Sequence, residues 1–317
     1  MFLTAPYLEG EPPMFPEMHG LANAPETRQS VDHWADHGMT SFKAYMNITS
    51  EELQEAVKAA HLHGQKITGH LCSVGFREAA DLGIDNLEHG LLMDTEFYSK
   101  KHADVCPDFR FYLSEYNARL SIDSAAVQDV IRYLIAHHVA VTSTLAVIES
   151  EFTTSRPKED LKRASHAMTW KAWRASRQRV KMVPHSRVDH LLAKEMEFER
   201  DFVKRGGTLL AGSDPTGDGS TLAGFGDQRE LELLVNAGFT PVEAIQIATK
   251  NGADFLGIGD RVGTVDAGKQ ADLIVIDGNP ATDISDINKA EFVFRKGVGC
   301  DPVKLLDGID GVVGLEN

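Results

Sequence analysis

Lys43, His70, His89 and Asp214 are the side chains of this sequence with the most chemistry to offer. They lie in SFKAYMN, ITGHLCS, NLEHGLL and LLAGSDPTG, each closing a short apolar run that a helical pattern follows. Neutral imidazole is a good zinc ligand, and two histidines at successive strand ends, 19 positions apart, read as a ligand pair. Asp214 can ligate a metal and accept a proton from metal-bound water. Its blander reading is an Asx turn or cap in a loop rich in Gly and Pro. Lys43 leaves several states open, because a lysine closing an apolar strand carries an ammonium that is costly to bury. It can pair with a nearby carboxylate, form imines as a nucleophile, or be carboxylated by carbon dioxide to an anionic carbamate that bridges two metals. Tyr45, two residues beyond Lys43, points to the same side of its strand, toward substrate or into packing. Glu88, beside His89, is expected to face the other way and to be structural.

These residues need strands to carry them. Phe2–Leu8, Ser41–Met46, Lys66–Leu71, Asn86–Leu91, Val139–Leu145 and Thr208–Ala211 read as short strands of the kind helices cover on a parallel sheet. Thr49 to Glu52 is a capping box that opens a helix stopped by Gly64, and Leu53, Val57 and Ala60 share one face of it. A second box, Thr240 to Glu243, has proline at the first helical position. Alternating strands and helices, with the reactive residues at strand C-termini, predict an α/β (β/α)8 barrel of the TIM type. No Gly-rich phosphate loop follows an early strand, which ranks a doubly wound sheet lower. Long connections over about 92–125 and 146–184 would lie on the active face as lids or pocket walls. Arg110, Arg174 and Arg177 within them are candidate anion partners. Beyond Leu256 turn chemistry takes over, with strands at Leu273–Ile276 and Phe292–Phe294. The division expected is therefore 1–256 for the barrel and 257–317 for a small β domain.

The bulk composition excludes more than it identifies. The 317 residues are 42% apolar and 25% charged, as in an ordinary globular chain. A net charge of -15, from 32 basic and 47 acidic residues, opposes nucleic acid and anionic membrane surfaces as partners. A small-molecule substrate remains, with a homo-oligomer left open. No apolar run approaches the roughly 18 residues a membrane span needs. Met1-Phe2-Leu3-Thr4 carries no signal-peptide pattern, which makes the chain as it stands cytoplasmic. Cys72, Cys106 and Cys300 are widely spaced and are expected to be plain thiols.

In this order FKAYM, TGHL, LEHG and AGSDPTG, with GFTPVEAIQIATKNGADFLGIGDRVGTVDAGKQADLIVID, resemble the metal-dependent amidohydrolase superfamily over nearly the whole chain. The branch resembled holds imidazolonepropionase-like proteins and Xaa-Pro or N-acyl-amino-acid hydrolases. The resemblance implies that Lys43, at the fourth barrel strand, is a carboxylated lysine bridging two divalent ions, zinc by preference. It implies that His70 and His89, at strands five and six, bind the second metal. Asp214, at strand eight, would bind the first metal and shuttle the proton. A metal-bound hydroxide would then attack an amide carbonyl, as in an N-acyl amino acid or Xaa-Pro substrate. Lactonases and deaminases of the same superfamily use the same chemistry.

One family feature is missing. An HxH motif on the first strand should supply two histidines to the first metal. His61-Leu62-His63 has the letters, but it ends a helix ahead of strand five and so points to the opposite face of the barrel. His137-His138 sits similarly, and His19, His33 and His37 form no such pair. With Phe2–Leu8 as the third strand, the expectation is a chain lacking its first two strands and half of a composite β-sandwich. Activity would then be impaired, and a leader could have preceded the missing part.

Overall fold

The computed structural model describes residues 2–108, 120–152, 159–180, 185–215 and 221–314. They divide into two compact units, Met1–Thr142 with Asp201–Thr208, and Ser143–Arg200 with Leu209–Asn317.

The first unit opens with β1 (Glu9–Gly10) and β2 (Gly20–Leu21), a short parallel pair. Then α1 (Ala24–Asp36), β3 (Ser41–Ala44), α2 (Ser50–Leu62), β4 (Lys66–Gly69), α3 (Phe76–Leu82), β5 (Asn86–Glu88), α4 (Ala125–Ala136) and β6 (Ala140–Ser143) alternate strand and helix. β7 (Leu209–Ala211) falls in the second unit, while the strands of the first unit form a sheet in the order β3-β4-β5-β6. Its resolved pairings within the first unit are parallel. The α2 capping box forms as the sequence dictates: the Thr49 hydroxyl accepts from Glu52 N, and Glu52 reaches back to Thr49 N at 2.8 Å. The helix ends at His63, and Gly64 supplies the left-handed residue beyond it (φ 66). Phe2–Leu8 is an irregular edge along β3. Ala5 and Leu8 donate to Ser41 and Lys43 carbonyls at 3.0 and 2.9 Å, while Pro6 has no N–H to give.

The register splits the strands into two faces. Phe42, Ile67, Leu87 and Val141, all fully buried, lie on one face. Buried Leu53, Ala56 and Val57 of α2, Phe76 and Ala79 of α3, and Val127, Val130 and Ile131 of α4 supply the unit's helical apolar faces. The alternate residues Lys43, Thr68, Asn86, Glu88 and Thr142 lie on the other face as a polar row.

The second unit holds α5 (Leu145–Phe152), α6 (Glu159–Ala164), α7 (Ala167–Val180), α8 (His185–Lys204), β7, α9 (Phe225–Asn236), α10 (Pro241–Gln246) and α11 (Gly252–Phe255). A π-helical turn, Ile247–Asn251, interrupts what reads as one helix after the second capping box. It lets Asn251 Nδ2 donate to the Leu209 carbonyl at 2.9 Å. The antiparallel strands β8 (Leu273–Ile276), β9 (Ala290–Arg295) and β10 (Val298–Cys300) follow, and then α12 (Pro302–Asp307). Among the described strands, β10 is absent from the sequence reading, as are β1 and β2.

One expectation is overturned. Cys72 and Cys106 form a disulfide with a Cα–Cα distance of 4.9 Å, across 34 positions of sequence, and Cys300 alone is a free thiol. Spacing gave no sign of the pairing because the loop carrying Cys106 folds back over the end of β4. Lys101 fastens that loop by donating to the carbonyls of Ser73, His102 and Val105, and Asp104 by accepting from Ser50 N at 2.6 Å.

Candidate active site

The site is built in the first unit where β3, β4 and β5 end. Lys43 is 8% exposed, and its Nζ lies 2.5 Å from Glu88 Oε2. Glu88 therefore points inward, contrary to the sequence expectation. The backbone explains it. The strand stops at Glu88 and His89 adopts a left-handed conformation (φ 65), so the alternation of sides breaks there and both residues reach the same place. Counting by two from Asn86 would have put Glu88 on the polar face. The row beneath it is hydrogen-bonded: Thr68 Oγ1 lies 2.6 Å from Asn86 Oδ1 and 3.1 Å from Glu88 Oε1, and Thr142 Oγ1 donates to Asn86 at 2.9 Å.

His70 follows the end of β4, and its N–H donates to the Ala44 carbonyl at 3.1 Å. Its ring centroid is 4.3 Å from that of His89, and Glu88 Oε2 is 3.7 Å from His89 Nε2. Burial, with the charge of Lys43 nearby, drives the His89 pKa down to about 3. Burial, then His89 and Lys43, hold His70 well below the usual imidazole value, with Glu88 opposing. Both rings are therefore uncharged at neutral pH, the state in which imidazole ligates a metal. Tyr45 takes the side expected of it. Its ring lies 4.9 Å from that of His70 and stacks on Tyr7 at 4.9 Å, with Lys43 Nζ 5.9 Å and 5.0 Å from the two centroids.

In the second unit β7 leads through Gly212, whose N–H donates to the Ser143 carbonyl at 2.9 Å, and buried Ser213 to Asp214. Asp214 is left-handed (φ 42), a conformation aspartate tolerates better than most residues. A Cβ on Gly226 would lie 2.9 Å from Ser213 Cβ, so α9 approaches this turn closely. Arg177 is buried, donates to the Ser150 carbonyl and lies 5.9 Å from the Trp173 ring, which makes it structural. Arg174 is exposed, and Arg110 lies outside the described residues.

The sequence reading missed a buried acidic group in the second unit. Ser143 Oγ is 2.5 Å from Glu230 Oε1 and 2.9 Å from Glu199 Oε2. A hydroxyl has one proton to give, so both contacts are hydrogen bonds only if one carboxyl carries a proton. Glu230 also accepts from Leu145 and Ala146 N–H at 3.2 and 2.7 Å, which makes it the ionised partner and Glu199 the protonated one. Burial raises Glu230 to about 7, and burial with Glu195 and Glu230 raises Glu199 well above its ordinary value.

The donor chemistry of the first unit fits a metal. Two neutral imidazoles, one buried and one half-buried, and a carboxylate meet beside an amine that carbon dioxide could convert to a further oxygen donor. Among the described residues, however, no group of three His, Cys, Asp or Glu side chains converges as a ready-made ligand set.

The profile of the Amidohydrolase family matches residues 24–298, and the chain belongs to that family. Its architecture is of the TIM-barrel type that solved members share. An Xaa-Pro dipeptidase solved with methionine in its active site superimposes with a TM-score of 0.62 at 18% identity, over 94% of this chain and 66% of that one. Bottromycin amidohydrolase gives 0.67 at 19%, over 97% and 66%. The imidazolonepropionase of Thermoplasma volcanium is 42% identical over 60 residues, 18% of this chain and 15% of that one. The chain spans about two thirds of the length of the solved relatives.

Proposed function

We propose that this chain carries the metal-binding part of an amidohydrolase that cleaves the C–N bond of a small amide, of the N-acyl amino acid or Xaa-Pro type. The observation that carries this reading is the meeting of buried Lys43 and His89 with half-buried Glu88 and His70 at the ends of three parallel strands. Family membership and the dipeptidase-like fold support it. In this reading His70 and His89 hold a divalent ion, zinc by preference, and Lys43 contributes as a carbamate. Asp214 is the proton carrier and a ligand of the first ion. A bound ion supplies Lewis acidity and an activated water.

The residues have definite work around it. Desolvation keeps both imidazoles uncharged. Glu88, braced by Thr68, holds the Lys43 side chain extended into the site. Tyr45 and Tyr7 wall off one side from water. The barrel is assigned to 1–256 and the small β domain to 257–317 as part of the same proposal. The Cys72–Cys106 disulfide favours an oxidising compartment, and among the described residues no helix is long and apolar enough to cross a membrane.

Metal analysis of the purified protein, with an assay of N-acyl amino acids, Xaa-Pro dipeptides and lactones in added zinc, tests the reading. One or more equivalents of metal, lost in Lys43→Ala and His89→Ala, with turnover of an amide, is the expected result. Metal content below one equivalent and indifferent to both substitutions would overturn it. Turnover of lactones alone would move the chain to a different hydrolase class.

A further inference from the structure

A strip of rings runs from the surface into the site. Phe15 lies 6.5 Å from Tyr45, Tyr45 lies 4.9 Å from His70, and His70 lies 4.3 Å from His89, while Tyr7 stacks on Tyr45. Tyr45 is only 8% exposed, whereas Tyr7 is 42% and Phe15 is 48% exposed. Two large apolar rings are thus left half open beside a buried charged centre.

Their exposure is not slack in the chain. Glu9 is fully buried and accepts from Met14 N at 2.9 Å and Asn47 N at 3.1 Å. Asn47 Nδ2 in turn donates to the Pro12 carbonyl at 2.8 Å. Gly10 passes so close that a Cβ there would meet the Asn47 carbonyl oxygen at 2.2 Å. The segment before Phe15 is therefore fastened to the turn that follows β3. Rings held open around one buried ring in this way form apolar surface of the kind that binding grooves use. Aromatic faces and edges favour a flat partner in offset or edge-on contact.

We propose that Tyr7 and Phe15 form a subsite that selects substrates bearing a planar apolar group next to the scissile amide. The proposal rests on the hydrolase reading above for the position of the scissile bond, and it adds the class of substrate. Tyr45, covered by Tyr7, backs this subsite, and the two exposed rings touch the ligand.

The test uses the full chain loaded with zinc and two matched pairs of probes. N-benzoylglycine against N-acetylglycine places the ring on the acyl side, and N-acetylphenylalanine against N-acetylalanine places it on the amine side. The ring-bearing member of one pair should be preferred at least tenfold in kcat/KM. Phe15→Ala and Tyr7→Ala should each cut that preference fivefold or more, through KM rather than kcat, and Tyr7→Phe should restore it. A preference that survives both alanine substitutions overturns the subsite. Calorimetric titration of the same four probes needs no turnover and separates the two readings. Tighter binding of ring-bearing probes, lost in the variants, without hydrolysis of any amide, upholds the subsite and sinks the hydrolase reading. Equal binding of ring-bearing and ring-free probes, with no preference in turnover, overturns the subsite.

Discussion

The first unit has histidines at both ends of its parallel strands, and the two sets live differently. His70 and His89 follow the C-terminal ends of β4 and β5, their rings meet, and burial keeps them uncharged. His61 and His63 close α2 ahead of β4, with side chains 44% and 30% exposed, each facing a carboxylate: Asp85 at 3.0 Å and Asp32 at 2.8 Å. The second set has the H-x-H spelling of a metal motif, and the first does not. A histidine becomes a candidate ligand through its place in the strand–helix unit, because the strand ends bring side chains from separate segments into one dry pocket. The helix-to-strand turns leave theirs partly in water, each beside a carboxylate.

The sharpest way to break this comparison is to remove a ring from each end. His89→Ala and His70→Ala should each weaken zinc binding by a hundredfold or more and abolish any hydrolysis. His61→Ala and His63→Ala should leave zinc affinity within about twofold, as read by competition with a chromogenic chelator. Equal losses at both ends would show that position in the barrel does not decide the role.

The next effect concerns what holds the site end together. The Cys72–Cys106 link closes a loop of 34 positions beginning two residues after His70. The chain-entropy relation gives such a loop about 3–4 kcal/mol of stability. Cys72→Ser with Cys106→Ser, or reduction of the parent protein, should therefore lower unfolding free energy by about that amount in urea. A change below about 1 kcal/mol would mean that Lys101 and Asp104 alone keep the loop in place.

How far this was visible in the sequence depends on the kind of interaction. Strand ends, the two capping boxes and the order Lys43, His70, His89 and Asp214 are local patterns, so they could be read directly. The HLH decoy was also legible, because a helix that stops at Gly64 fixes which end His61 and His63 occupy. Glu88 could have been placed by counting in twos from Asn86, but that His89 shares its side could not, because it turns on a left-handed conformation at His89 of which a non-glycine residue gives little warning. The disulfide and the Ser143–Glu199–Glu230 group join segments 34 to 87 positions apart. Such pairings are fixed by tertiary packing, which leaves no periodic trace.

Buried titratable groups sharpen the comparison through pH. His89 has a folded pKa depressed to about 3 from 6.5, so the metal-free unfolded chain binds its proton first. Its contribution to stability is complete above about pH 6.5 and is lost as pH falls toward 3, at about 1.4 kcal/mol per pH unit. Glu230 works in the opposite sense. Its folded pKa is raised to about 7 from 4.5, so its contribution is complete below about 4.5 and is lost as pH rises to 7. Urea midpoints of metal-free protein at pH 4.5, 5.5 and 7.5 should show it. His89→Gln should remove roughly 1.4 kcal/mol per pH unit of the acid-side loss, and Glu199→Gln, which imitates a protonated carboxyl, should be tolerated far better than Glu230→Gln. Equal damage from the two glutamine substitutions would contradict the assignment of the shared proton to Glu199.

The smallest expected effect completes the contrast between the two ends. Asp85 already accepts from Ile67 N–H at 2.9 Å and faces Lys66 at 3.2 Å, so removing His61 leaves that carboxylate partnered. Asp32 is 43% exposed and keeps Arg28 at 3.6 Å when His63 is gone. Exposed ion pairs contribute between about 0 and 1 kcal/mol, screened further by salt. His61→Ala combined with His63→Ala should therefore shift unfolding free energy by less than about 1 kcal/mol. A larger, salt-insensitive loss would mean that the outward histidines pack against the fold rather than decorate it, and the two ends would be more alike than their exposure suggests.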